Sequence, residues 1–103
     1  MSAVIVVATA YPAPDRHAAV RAALERAVSR VHEEDGCLLY ALHERDDRLV
    51  LIEKWSSQEA LDVHAAAPAL ADLRADLAGI TSADLDIQVL IAVRGGTEKQ
   101  GQL

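Results

Sequence analysis

His64, Glu53, Tyr40 and Trp55 are the residues of this chain whose types and neighbours suit chemistry. His64 follows Leu61 by three residues and Ala60 by four, on the stripe of a helical segment that should face a sheet. A neutral imidazole there can act as a general base or bind a substrate hydroxyl. The alternative is a core-edge histidine satisfied by a backbone group. Glu53 lies mid-strand, directly after Ile52 and two residues before Trp55. A carboxylate buried there without a partner is costly, and burial would raise its pKa into a range useful for acid or base work. A partner arginine, or a place at a subunit edge, would equally account for it. Trp55 offers a face for a flat ligand, or simply fills one end of a sheet. Metal chemistry finds little support, because His32 and His43 lack ligand spacing and Asp62 does not face His64 on a helix. Cys37 has no base beside it in sequence, so it is a poor nucleophile. His32, His43 and His17 read as surface residues.

These groups need elements to hold them. Residues 3–10 are a continuous apolar, β-branched run suited to a strand covered on both faces. Tyr11-Pro12-Ala13-Pro14 breaks it, and Pro14 is placed to open a helix with Asp15 in its first turn. Val20, Leu24, Ala27, Val28 and Val31 then recur at helical spacing, with Arg21–Glu25 and Arg30–Glu34 at i,i+4. Gly36 supplies the stop, giving a helix over about residues 14–34. Residues 37–44 and 49–55 read as a hairpin around Asp46-Asp47. Its simplest register pairs Arg45 with Arg48, Leu42 with Leu51, Tyr40 with Glu53 and Leu38 with Trp55. Tyr40, Glu53 and Trp55 then share one sheet face, and Cys37, Leu39, Ala41, His43, Val50, Ile52 and Lys54 the other.

Ser56 and Glu59 have capping-box spacing and open a second helix. Pro68 divides it, Leu70, Leu73, Leu77 and Ile80 continue it, and Gly79 ends it. Residues 84–94 alternate as a strand. The order β-α-β-β-α-β predicts an α+β, ferredoxin-like fold with a four-stranded antiparallel sheet. It forms one domain over residues 1–94, with residues 95–103 as a flexible C-terminal tail. Two helices cover one sheet face, yet the strands are apolar on both. A homodimer through the open face is the simple solution.

Composition narrows the function. The 103 residues carry a formal charge of −6, which argues against a nucleic-acid surface. No stretch is apolar enough to span a bilayer, and the apolar start lacks a basic leader region. One cysteine excludes an internal disulfide and fits a reducing compartment, so the expected location is cytoplasmic.

Three segments carry a resemblance: Glu34-Asp35-Gly36-Cys37-Leu38-Leu39-Tyr40, Leu51-Ile52-Glu53-Lys54-Trp55 and Ser57-Gln58-Glu59-Ala60-Leu61-Asp62-Val63-His64. In this order they resemble the antibiotic biosynthesis monooxygenase family, over about residues 3–93. The resemblance implies a dimeric α+β barrel, with two sheets packed face to face and a pocket between each sheet and its own helices. It further implies oxygenation of a small aromatic substrate, of quinol, phenol or anthrone type, by O₂ without metal or flavin. His64 matches the family's helix histidine, as proton acceptor or substrate anchor. Trp55 and Glu53 match its strand pair, and Tyr40 joins them as candidate substrate contacts. Two departures stand out. A Thr/Ser-Pro-His-type segment common after that histidine reads Ala67-Pro68-Ala69-Leu70 here. The haem-degrading branch has tryptophan in place of His64 and a haem-ligand histidine where this chain has Leu73, Arg74 and Ala75, which argues against haem degradation. A small-molecule-binding dimer without chemistry, and an isomerase of the same fold, stay open as alternatives.

Overall fold

A computed structural model describes residues 2–103. The elements run β1 (Val4–Ala10), α1 (His17–Val31), β2 (Cys37–Glu44), β3 (Leu49–Trp55), α2 (Gln58–Ala65), α3 (Pro68–Leu77), β4 (Asp86–Ile91) and a single turn α4 (Glu98–Gly101). The strands form one antiparallel sheet in the order β2-β3-β1-β4. This is the ferredoxin-like α+β arrangement expected from the hydrophobic periods.

Alternation along the strands decides which side chains meet the helices. On β1, Val4, Val6, Ala8 and Ala10 are buried, and on β3 so are Leu49, Leu51, Glu53 and Trp55. Val20, Ala23, Leu24, Ala27 and Val31 of α1 pack against this face, joined by Ala69, Leu70, Leu73 and Leu77 of α3. The two helices are also cross-linked at their outer edge, where Arg30 meets Asp72 at 2.7 Å and Arg26 meets Asp76 at 3.4 Å. The largest fully buried side chain is Trp55. Every residue of β4 is exposed, including Ile87, Val89, Leu90 and Ile91.

Several local expectations are corrected. The first helix begins at His17 rather than Pro14, because the preceding chain is held elsewhere: Ala13 N–H donates to Ile80 O and Pro12 bridges Thr81. Asp15 takes a positive φ of 66° in the resulting turn, a conformation Asp tolerates better than most residues. His17 is only partly exposed, with its Nε2 3.0 Å from Glu44. Arg30 pairs with Asp72 instead of Glu34. The cap of α2 is Ser57, whose hydroxyl accepts from Ala60 N–H, while Ser56 N–H donates to Gly36 O. The hairpin register holds from Leu39 to Glu44, but a bulge before it sets Cys37, not Leu38, opposite Trp55. Cys37 therefore packs against the core while Leu38 is 58% exposed. The last strand is Asp86–Ile91, shorter than residues 84–94. In the tail, Thr97 caps the turn α4, and Lys54 Nζ donates to the Leu103 carbonyl.

Candidate active site

His64 is the one buried residue of α2, at 4% exposure. The helix is short, and Ser57 starts it in a phase that aims position 64 at the end of β3. There the imidazole stacks on Trp55, with ring centroids 4.4 Å apart and planes 27° off parallel. Tyr40, from β2, meets both rings edge-on, at 5.7 Å from His64 and 6.4 Å from Trp55. Three of the chain's aromatic groups thus form one packed cluster. Trp55 Nε1–H donates to Glu53 Oε1 at 3.0 Å, which gives the buried carboxylate one partner.

Glu34 is the residue that sequence reading placed elsewhere. It lies past the end of α1 and its Oε1 sits 2.8 Å from His64 Nδ1, with Oε2 buried and unpartnered among the described residues. Gly36 makes this approach possible. Its φ is +81°, and a Cβ there would stand 2.5 Å from the Ala60 Cβ and 2.7 Å from Ser56 Oγ. Only glycine lets the α1–β2 loop lie this tightly on the start of α2. The signal available in sequence was the closeness of Glu34 to Gly36, outranked by its i,i+4 spacing from Arg30.

A carboxylate on Nδ1 has a chemical consequence. It accepts a hydrogen bond from Nδ1–H and so assigns Nε2 as the nitrogen available to a ligand. His64 lines a cavity of about 250 Å³ between the sheet and α2 and α3. Its walls are apolar, from Val6, Ala8, Leu51, Leu61, Leu70 and Val89, with Tyr40 and Glu53 contributing polar groups. Trp55 does not line the cavity; it backs His64 from behind. Burial, reinforced by the charge of Glu34 and only partly offset by the Trp55 hydrogen bond, pushes the Glu53 carboxyl up to about 7. Burial, together with the nearby Glu53 and Glu34, raises the Tyr40 phenol well above its usual range, so it stays a hydrogen-bond donor. Burial and the same two carboxylates also raise the Cys37 thiol, which disfavours a thiolate nucleophile. The departures noted in sequence also have places: Ala67 caps α3, Ala69 is buried, and Arg74 reaches the cavity rim.

Fold and cavity together define an α+β protein with a histidine–carboxylate pair at an apolar pocket between sheet and helices. The family model described as antibiotic biosynthesis monooxygenase matches residues 3–76, and the chain belongs to that family. The Mycobacterium tuberculosis protein named "Putative monooxygenase Rv0793" is 36% identical over 91 residues, which cover 86% of this chain and 90% of that protein. The solved structure of Rv0793 matches with a TM-score of 0.85 and 33% identity, over 93% of this chain and all of that one (100%). A Deinococcus radiodurans structure described as a "putative antibiotic biosynthesis monooxygenase" has a TM-score of 0.81 at 26% identity, covering 91% and 96% of the two chains. PA3566 from Pseudomonas aeruginosa shares the fold, with a TM-score of 0.83 at 23% identity over 91% of this chain and 97% of its own.

Proposed function

We propose that the chain is a cofactor-independent monooxygenase that oxidises a small aromatic hydroxyl compound, of quinol, phenol or anthrone type, with O₂. The observation that carries this reading is the Glu34–His64 pair, which engages Nδ1 of a histidine that lines an apolar cavity of about 250 Å³. His64 takes the hydroxyl proton of the bound substrate, and Glu34 steadies the imidazolium that forms. The resulting electron-rich anion reduces O₂ itself. For a simple hydroquinone, one oxygen atom enters the ring and the other leaves as water. The product is the hydroxyquinone, and the substrate supplies all four electrons. Tyr40 donates a hydrogen bond and Glu53, with a pKa near neutrality, returns or accepts protons during that conversion. Apolar walls exclude water from the anion.

A homodimer through the open sheet face completes the proposal. Family membership supports it, as do the part-exposed apolar residues of that face, Val7, Leu39, Val50, Ile52 and Leu90. An isomerase is the second reading, favoured by Glu53, because a carboxyl poised near 7 beside a histidine suits proton transfer without oxidation. Oxygen consumption over a panel of quinols, phenols and anthrones tests the proposal. Uptake by the wild type, reduced about a hundredfold or more in His64→Ala with the fold intact, is expected. Conversion under nitrogen at an undiminished rate would favour the isomerase. Absence of uptake across the panel would count against the oxygenase.

A further inference from the structure

Arg74 lines the same cavity as His64, Tyr40 and Glu53 and is itself exposed. It lies one turn after Leu70 on α3, so its side chain leans back over a residue that lines the cavity. The two acids nearest on the same helix, Asp72 and Asp76, face the other way and are held by Arg30 and Arg26 of α1. The acid that shares the rim, Asp62, accepts from Gln58 Nε2 at 2.9 Å. Arg74 is therefore the only cation lining the cavity, and it has no carboxylate within ion-pair distance among the described residues. A cation in the last turn of α3 also suits the helix dipole. That role would bear on stability alone and leave ligand preference untouched.

We propose that the cavity selects aromatic hydroxyl compounds that carry a carboxylate, with the hydroxyl directed to His64 and the carboxylate bound by Arg74 at the rim. This rests on the reading of the cavity as a site for hydroxylated rings, and it names their class. A guanidinium binds a carboxylate through two parallel hydrogen bonds, so it orients the ring as well as holding it. The cavity of about 250 Å³, lined by both His64 and Arg74, has room for a single substituted ring.

The test is calorimetric binding, without oxygen, of hydroquinone and its carboxylated counterpart 2,5-dihydroxybenzoate. Wild-type protein should bind the carboxylated ring about tenfold more tightly, and the difference should shrink at high salt. Arg74→Gln should erase the preference by weakening only the carboxylated ligand, and Arg74→Lys should keep part of it. Thermal unfolding of each variant checks that the fold persists. Equal affinities in the wild type, an unchanged preference in Arg74→Gln, or no binding of 2,5-dihydroxybenzoate overturns the proposal. Because no turnover is involved, failure of the oxygen chemistry leaves this result standing, and loss of the preference leaves the oxygen-uptake result standing.

Discussion

At the scale of residues, the site is a set of five contacts: Glu34 on His64, His64 on Trp55, Trp55 on Glu53, and Tyr40 against each of the two rings. Each group limits its neighbour. Glu34 settles which nitrogen of His64 is free, while its charge helps keep Glu53 protonated. Glu53 makes a prediction about stability with a definite sign. Its carboxyl moves from 4.5 to about 7 on folding, so between those values the folded chain holds a proton that the unfolded chain has released. Stability therefore falls as pH rises through this window, by about 3 kcal/mol in total, and levels off above it. Glu53→Gln keeps an oxygen for the Trp55 indole and removes the titration. Urea unfolding at about pH 5 and about pH 8 should show the variant gaining on the wild type at the higher pH. The same pH response in both proteins would contradict the assignment. Much of this cluster was legible before the fold. Period-2 alternation put Tyr40, Glu53 and Trp55 on one face, and helical spacing turned His64 toward it. Glu34 was not, because its partner lies 30 residues away and Arg30 offered a nearer one.

At the scale of elements, hydrophobic period was sufficient for the strands and the body of each helix. Residues 37–44 and 49–55 form the strands expected of them, and Pro68 opens α3 as its fixed φ suggests. Element ends escaped the reading for a common reason. Each is set by a hydrogen bond to a distant segment. Ala13 is held by Ile80, which delays α1 to His17. Ser56 donates to Gly36, and Ser57 takes the cap. The bulge at Cys37–Leu39 adjoins the same Gly36 junction, where the chain must leave α1, clear Ala60 and enter β2 within the five residues 32–36. This junction links fold to site. It fixes the loop that carries Glu34 against the helix that carries His64, so the pair forms only when α1, β2 and α2 are all docked.

At the scale of the whole molecule, coverage is uneven. Helices shield β1, β2 and β3 on one side, while β4 is bare on both: Ile87 is 44% exposed, Val89 52% and Ile91 74% on the helix side, and Leu90 is 44% exposed on the other. Ile87 and Val89 also line the cavity, so its wall on that side continues into the exposed edge. Such an apolar strip is unusual on a stable monomer. Sedimentation at micromolar concentration should therefore return about twice the 11.0 kDa of one chain. A stable monomer there would contradict the dimer. No helix among the described residues is long and apolar enough to cross a membrane.

In the proposed reaction, His64 removes a proton from a hydroxylated ring bound in the cavity. An optical titration with 4-nitrophenol tests it most directly, since the phenol and phenolate absorb at separate wavelengths. At a pH below the phenol's own pKa, binding to the wild type should bring up the phenolate band, and His64→Ala should bind the neutral phenol. A bound phenol that stays neutral in the wild type, or one that ionises equally in His64→Ala, would contradict the account.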